Sequence, residues 1–403
     1  MGKFIVIVLD SFGVGYMKDV AKVRPEDVGS NTAYHIIERK PDIQMKNLVR
    51  LGLMNAIDKE TEKLKKSQKA NWGTSNLAHQ GADSFLGHQE IMGTTPPIPF
   101  NMPFNEVIDE VEQQLVKKGY SVRREGKNSE PEILVINECA TVGDNLETDL
   151  GQVYNISACL DIMPFEEVKR VGRAIREVVK VSRVIAFGGE HIVLNDLLKA
   201  RKVKLNKFAG VDAPESGVYD QGYQVIHLGY GINPEVQIPT ILNHQNIPVA
   251  LIGKAADIIQ TSSTHLYPGV DTQQLFNYLL QEISEMDNGF ICLNVQETDL
   301  AGHGEDVERY ANRLEVSDTN IGEVMKQLDE EDILIVMADH GNDPTIGHSQ
   351  HTRERVPLLV YCKGLEGREI GERETMSDVA ATAAEYFGVK KPQHGESFLE
   401  KLR

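Results

Sequence analysis

Ile333-Leu334-Ile335-Val336-Met337-Ala338-Asp339-His340-Gly341-Asn342-Asp343 runs from a continuous apolar stretch straight into carboxylates, an imidazole and a glycine. Eleven residues after His340 comes His351, in His351-Thr352-Arg353-Glu354, and upstream the apolar run Gly289 to Val295 leads into Asp299-Leu300-Ala301-Gly302-His303. Asp299, His303, Asp339, His340 and His351 thus fall within about fifty residues. Strand, ligand cluster, then turn is how an α/β protein builds a site at the carboxyl edge of its sheet. Carboxylate oxygens mixed with imidazole suit zinc, manganese or iron(II) better than calcium or a thiolate-bound metal.

The start of the chain points the same way. Phe4-Ile5-Val6-Ile7-Val8-Leu9 is an unbroken apolar, β-branched run, read as a central parallel strand buried on both faces. It stops at Asp10, followed by Ser11-Phe12-Gly13-Val14-Gly15. Asp10 is therefore in ligand position, although an Asp there can also cap a helix. Gly13-Val14-Gly15 lacks the third glycine of a dinucleotide fingerprint, and Asp10 would put negative charge where a pyrophosphate should sit. Gly81-Ala82-Asp83-Ser84-Phe85-Leu86-Gly87-His88-Gln89-Glu90 carries a nucleophile candidate. A serine opening a helix lies near backbone N–H donors, which suits an incoming phosphate, and a metal ion can hold its hydroxyl as alkoxide. Read alone, Ser84 or Asp83 equally serves as a helix N-cap. His88 and Glu90 suit acid–base work or a supporting role, and equally capping or packing; His35 reads as a helix histidine.

Taken together, Asp10, Asp83-Ser84, Asp299 with His303, Asp339-His340 and His351 resemble the alkaline phosphatase superfamily of two-metal phosphoryl-transfer enzymes, and within it the phosphopentomutases. The resemblance is carried by Val8 to Gly15, Gly87 to Gly93, Ile252-Gly253-Lys254 with Asp257-Ile258, Ala338 to Pro344, His351 to Leu359 and Gly395 to Leu399. It implies an alkaline-phosphatase-like core with a mainly parallel central sheet flanked by helices, interrupted by a small α/β cap. It implies one metal on Asp299, His303 and His351, a second on Asp10, Asp339 and His340 with the Ser84 oxygen in reach, and Lys254 near the substrate. It further implies two divalent ions, manganese foremost, a sugar bisphosphate activator and a small phosphorylated sugar as substrate. Two departures stand out: Ser84 occupies the place of the family's threonine, and Asp299 to His303 is one residue shorter than is usual there, matching the spacing of cofactor-independent phosphoglycerate mutases.

The core is expected over residues 1–95 and 224–403, the cap over 96–223. An amphipathic helix is expected from Phe104 to Gly119, with Val107, Val111, Leu115 and Val116 inward, and another from Phe165 to Val181 with Val168, Val171, Ile175 and Val178-Val179 inward. Strands are expected at Leu134–Ile136, Gln152–Ile156 and Arg183–Phe187. The cap departs from the family: where a serine and an aspartate would touch the sugar, the aligned positions hold Asp149 and Gly151, and Phe187 stands where an arginine is expected. Lys202 to Asp212 replaces an arginine-rich stretch. Asp149 is the one cap residue retained as a substrate contact.

At 403 residues with a 41% hydrophobic fraction the chain is long enough for two domains. A net charge of −18 argues against nucleic acid, and would repel a phosphorylated substrate without a local cationic site. Cys139, Cys159, Cys292 and Cys362 form no CxxC and are read as reduced. No stretch reaches the ~20 apolar residues of a membrane span, and no signal peptide is evident, so a cytoplasmic location is expected. The leading expectation is a metal-dependent phosphopentomutase-like isomerase working through phosphoserine. A phosphatase or phosphodiesterase of the same superfamily is the alternative, with a catalytically silent metal-binding relative as a third. A sulfatase is disfavoured, since Phe85-Leu86 lack the Pro and Arg that follow a sulfatase nucleophile.

Overall fold

The computed structural model describes residues 2–127, 130–146 and 150–402. The chain divides into two compact units, Met1–Pro96 with Asn233–Arg403, and Pro97–Ile232.

The first unit is an α/β layer built on eight strands: β1 Lys3–Leu9, β2 Asn71–Ser75, β3 Val249–Ile252, β4 His265–Tyr267, β5 Gly289–Val295, β6 Ile333–Met337, β7 Val356–Tyr361 and β8 Glu369–Arg373. Their order in the sheet is β4-β3-β5-β1-β6-β7-β2-β8. Five neighbouring pairs are parallel, and only β6–β7 and β7–β2 are antiparallel. Every residue of β1, β5 and β6 is buried. Helices on both faces explain this, because a parallel strand covered twice has no solvent side on which polar residues could alternate. Each aliphatic side chain so buried contributes roughly 1.5–3 kcal/mol, which offsets the cost of the charged groups these strands carry inward.

The helices read as stripes. Val307–Gln327, capped by the Asp306 side chain on the Arg309 amide, buries Tyr310, Ala311, Leu314, Ile321, Val324 and Met325 at helical spacing. Ser377–Phe387 ends at Gly388, whose φ of 64° is the left-handed conformation a helix C′ position favours.

The second unit carries a six-stranded sheet in the order Gln224–Gly229, Arg183–Gly189, Val153–Cys159, Ala140–Asp144, Ile133–Ile136, Val122–Glu125. Only Val153–Cys159 and Arg183–Gly189 run parallel. Helices Ile108–Lys117 and Phe165–Arg176 close its core. The expected Phe104–Gly119 helix is a 3₁₀ turn, Phe104–Glu106, followed by the helix proper, and Val116 is exposed rather than inward. Adjacent residues point about 100° apart on a helix, so Leu115 holds the buried stripe and Val116 leaves it. The second helix stops at Arg176 instead of Val181, with the Arg176 guanidinium donating to the Val181 carbonyl (2.8 Å). The stretch from Lys202 to Asp212 is a β-hairpin, Arg201–Lys204 with Phe208–Val211.

Candidate metal centre and nucleophile

The parallel order sets β3, β5, β1 and β6 side by side, so their carboxyl ends share one edge. Asp10 follows β1, Asp339 follows β6, and Asp299 sits on the short helix Glu297–His303 after β5. Lys254 opens the helix Lys254–Ile258 after β3. Its turn needs Gly253 at φ 70°, where an added Cβ would lie 2.4 Å from the Asn294 carbonyl oxygen.

Two groups of ligand-type atoms form at this edge, Asp299 with His303 and His351, and Asp10 with Asp339 and His340, each with its atoms within 4.8 Å of one another. The histidine orientation makes the argument. His303 Nδ1 faces the Ser349 carbonyl oxygen (2.7 Å), His351 Nδ1 that of Ala82 (2.7 Å), and His340 Nδ1 that of Gly341 (2.9 Å). A carbonyl only accepts, so each Nδ1 carries its hydrogen and each neutral ring presents an Nε2 lone pair. The Nε2 atoms of His303 and His351 meet at 2.9 Å, with Asp299 Oδ1 at 3.5 and 3.3 Å. His340 Nε2 lies 3.3 Å from Asp339 Oδ2 and 3.5 Å from Asp10 Oδ1. His340 Nε2 and Asp10 Oδ1 are buried without a hydrogen-bond partner. Lone pairs facing lone pairs repel unless a cation stands between them. The donor set therefore fits two divalent ions of the kind that take nitrogen and oxygen together.

The charge balance leads to the same place. Three carboxylates, Asp10, Asp299 and Asp339, gather near one half-buried ammonium: Lys254 Nζ is 2.5 Å from Asp10 and 3.5 Å from Asp299. Burial, then the neighbouring Asp339 charge, pushes Asp10 above the ordinary carboxylate value. Burial works against Asp339 too, but His340, His88 and Lys254 hold it well below that value. Burial pushes His340 down to about 4, which keeps its lone pair available. The Asp299 hydrogen bond raises His303. His351 is also raised, the Asp299 contact overcoming its burial.

Ser84 meets this edge of the sheet through Asp339 and Lys254. Asp83 caps the helix Ser84–Ile91 by accepting from the Leu86 amide (2.9 Å), which leaves the serine side chain free of that duty. Ser84 Oγ donates to Asp339 Oδ2 (2.7 Å) and accepts from Lys254 Nζ (3.1 Å). Lys254 is half-buried, with its ammonium turned to Asp10, Asp299 and Ser84. Asp149 lies outside the described residues, and Gly151 and Phe187 belong to the second unit.

His88 is a brace. Its Nδ1 faces the Ser84 carbonyl (2.9 Å), with Asp339 Oδ2 at 3.2 Å, and its Nε2 lies 3.0 Å from the Asn294 amide nitrogen. Asn294 also donates to Asp10 Oδ2 (3.0 Å). That contact assigns the amide nitrogen and so makes His88 Nε2 an acceptor, tying the ring into a chain from Asp339 to Asp10. Glu90 is fully buried in a separate network. His35 Nδ1 pairs with Asp343 Oδ2 (2.5 Å), three residues beyond His340.

Three contributors escaped the sequence reading. Ser11, at φ 68°, aims its amide at Asp339 Oδ1 (3.0 Å); a non-glycine residue held there beside a ligand is strain stored at a site. Asn294 ends the apolar run of β5, one residue before its last, and Asn342 donates to Asp299 Oδ1 (3.3 Å) from within the Asp339–Asp343 motif. A polar residue inside an otherwise apolar strand was the available signal for Asn294.

An α/β core that gathers two mixed carboxylate–imidazole groups around a serine defines a metalloenzyme, and residues 2–391 match the sequence profile of the Metalloenzyme superfamily. A phosphopentomutase from Caldanaerobacter subterraneus subsp. tengcongensis is 32% identical over 413 residues, covering 99% of this chain and 98% of that one. The chain belongs to the phosphopentomutase family within that superfamily and is an enzyme of the phosphotransferase type. Among solved structures, a Pyrococcus horikoshii protein has a TM-score of 0.46 at 15% identity, covering 96% of this chain and 97% of that one. A phosphoglycerate mutase from Leishmania mexicana has 0.42 at 10% identity, covering 98% and 97%. Among the described residues no helix is long and apolar enough to cross a membrane.

Proposed function

We propose that this enzyme is a phosphopentomutase acting through a phosphorylated Ser84, interconverting 1- and 5-phosphates of ribose or deoxyribose. The observation that carries the reading is that Ser84 Oγ is bonded both to Asp339, a member of one group of ligand-type atoms, and to Lys254, which also meets Asp10 and Asp299. Asp299, His303 and His351 would hold one ion, and Asp10, Asp339 and His340 the other, manganese being the first choice. When bound, such a pair supplies positive charge that lowers the hydroxyl pKa and neutralises the transferring phosphoryl group.

The chain's own residues set the rest. The Ser84 hydroxyl proton points at Asp339 Oδ2. Loss of that proton leaves an alkoxide facing the Lys254 ammonium, whose pKa is raised above the ordinary lysine value by Asp10 and Asp299 despite its burial. The ammonium therefore stays charged through the working pH range. Phosphoserine passes its group to the free hydroxyl of a sugar monophosphate, giving the bisphosphate, and Ser84 then takes the other phosphate back. Transfer of this kind depends on positioning and charge more than on covalent chemistry. A sugar bisphosphate would load Ser84 at the outset. The second unit is proposed to select the sugar, with Asp149 a contact. Lys254 is proposed to hold the phosphate.

The test is a single assay on manganese-loaded protein primed with ribose 1,5-bisphosphate and given ribose 5-phosphate. Ribose 1-phosphate with little free phosphate is the expected result. Free phosphate as the main product identifies a hydrolase and removes the mutase reading.

A further inference from the structure

We propose that Arg353 and Glu90 are positioning residues that together hold the loop ahead of Ser84, and through it set both the nucleophile and His351. This rests on Ser84 being the nucleophile.

The loop 76–83 forms no helix or strand, yet Leu77, His79 and Ala82 are buried. Backbone polar groups that leave water need partners from elsewhere. Two side chains supply most of them. The Arg353 guanidinium, 6% exposed, donates through Nη1 to the carbonyls of His79 (2.7 Å) and Gly81 (2.8 Å), and through Nη2 to that of Leu77 (3.1 Å). Its Nε and Nη2 meet Asp19 at 3.0 and 2.9 Å. Four guanidinium hydrogens are thereby placed in hydrogen bonds while the group also pairs with the Asp19 carboxylate, which a planar fork can do and a lysine ammonium with three donors cannot. From the other side, Glu90 accepts the amides of Ala78 and His79 (3.0 Å each) and faces the His79 ring at 2.7 Å. Glu90 also accepts from Thr375 Oγ1 (2.7 Å) and the Met376 amide (2.9 Å), which ties the loop to the start of the last helix.

Both ends of this clamp reach the chemistry. Ala82, one residue past Gly81, offers the carbonyl that fixes the His351 tautomer, and Asp83 caps the helix on which Ser84 stands. Arg353 is two residues beyond His351 on the same segment, so one stretch of chain presents an imidazole and grips the loop that orients it. Glu90 lies on the nucleophile's own helix. Displacing the loop would shift Ser84 Oγ and His351 Nε2 together.

The test uses the metal-loaded full chain, with Arg353→Ala and Arg353→Lys compared for kcat, KM and deuterium exchange of residues 76–83. Expected is a fall in kcat of about tenfold or more with KM within about twofold, and faster exchange confined to the loop. Millimolar guanidinium chloride should restore kcat and protection in Arg353→Ala, while Arg353→Lys stays impaired. Wild-type exchange and kcat in Arg353→Ala overturn the proposal. So does a loss spread over β1 and β5 that guanidinium leaves unchanged. If neither variant folds, Glu90→Gln decides: exchange of the Ala78 and His79 amides should rise, and wild-type protection overturns the clamp. A wild type that fails to interconvert pentose phosphates removes the proposed function, while loop exchange and its guanidinium response still judge the clamp.

Discussion

Gly87→Ala separates stability from activity at this site. Gly87 lies in the middle of the helix Ser84–Ile91, where alanine is ordinarily better than glycine by about 1 kcal/mol. Here an added Cβ would sit 2.8 Å from the Asp339 backbone oxygen and 3.1 Å from its Cβ. Relief needs the helix to retreat by roughly half an ångström, at a cost of about 1–3 kcal/mol for overpacking. Propensity and strain oppose each other, so net destabilisation should be at most about 2 kcal/mol. The retreat, however, moves this helix away from the same residue, Asp339, that Ser84 Oγ meets at 2.7 Å. Misplacement approaching 1 Å costs on the order of a hundredfold in rate, and a shift of half that should lower kcat by about tenfold or more. The assay is steady-state turnover beside denaturant unfolding of the same metal-loaded sample. A Gly87→Ala enzyme with wild-type kcat would refute the argument that helix-to-strand approach positions Ser84.

Ser84→Ala should keep metal content near wild type and abolish the phosphorylated form, read by intact mass after priming; equal phosphorylation would exclude Ser84 as nucleophile. Asp339→Asn should lower metal occupancy and turnover together, because Asp339 serves an ion group and the Ser84 hydroxyl at once; unchanged metal content by elemental analysis would break the ligand assignment. Chelation should lower the melting temperature by several degrees, since a ligand at 100 to 1,000 times its Kd stabilises the fold by about 3–4 kcal/mol; an unmoved transition would argue against tight binding. The His35–Asp343 pair carries a pH signature. His35 is raised above its ordinary 6.5 by its hydrogen bond to Asp343, so its contribution is whole below pH 6.5 and fades as pH rises through the raised value. Asp343, held below 3.8 by His35 and the Asn31 amide despite burial, contributes above pH 3.8 and loses this as pH falls through its lowered value. The stability gap between wild type and His35→Gln should therefore be greatest between pH 3.8 and 6.5; a gap that grows above pH 7 would refute the pairing.

What was legible in the chain depended on the range of the cause. Gly289–Val295 and Ile333–Met337 are strands over the same residues the apolar runs mark, because burial on both faces leaves no other pattern to read. Asp10 and Asp339 announced themselves at the carboxyl ends of such runs, and Asp299 by following one shortly after it ends at Val295. The hairpin after Arg201 hid because its turn places Leu205 and Asn206 at φ 53° and 52°, and leucine lacks the signal an Asn-Gly pair would have given. Ser84 was ambiguous for a different reason. Cap and nucleophile are both short polar side chains at a helix start, and the sequence does not say which caps; in the structure Asp83 takes the cap and Ser84 the bond to Asp339. The partners of Arg353 and Asn294 could not be read from the chain, since Gly81 and Asp10 lie 272 and 284 residues away.

The same contrast explains why ligands and their orienters are arranged as they are. Most of the proposed ligands follow directly on a strand or sit on the helix after one, whereas what orients them is long-range. The His351 carbonyl partner comes from Ala82 and the Asp339 amide partner from Ser11. Each of those bonds crosses between segments that only the closed sheet brings together. A chain that has not yet paired β1 with β6 thus has the ligand residues but neither a set His351 tautomer nor an aimed Asp339 carboxylate. Ion affinity should be weak until the sheet closes, and ion binding then becomes part of the folding free energy of this edge.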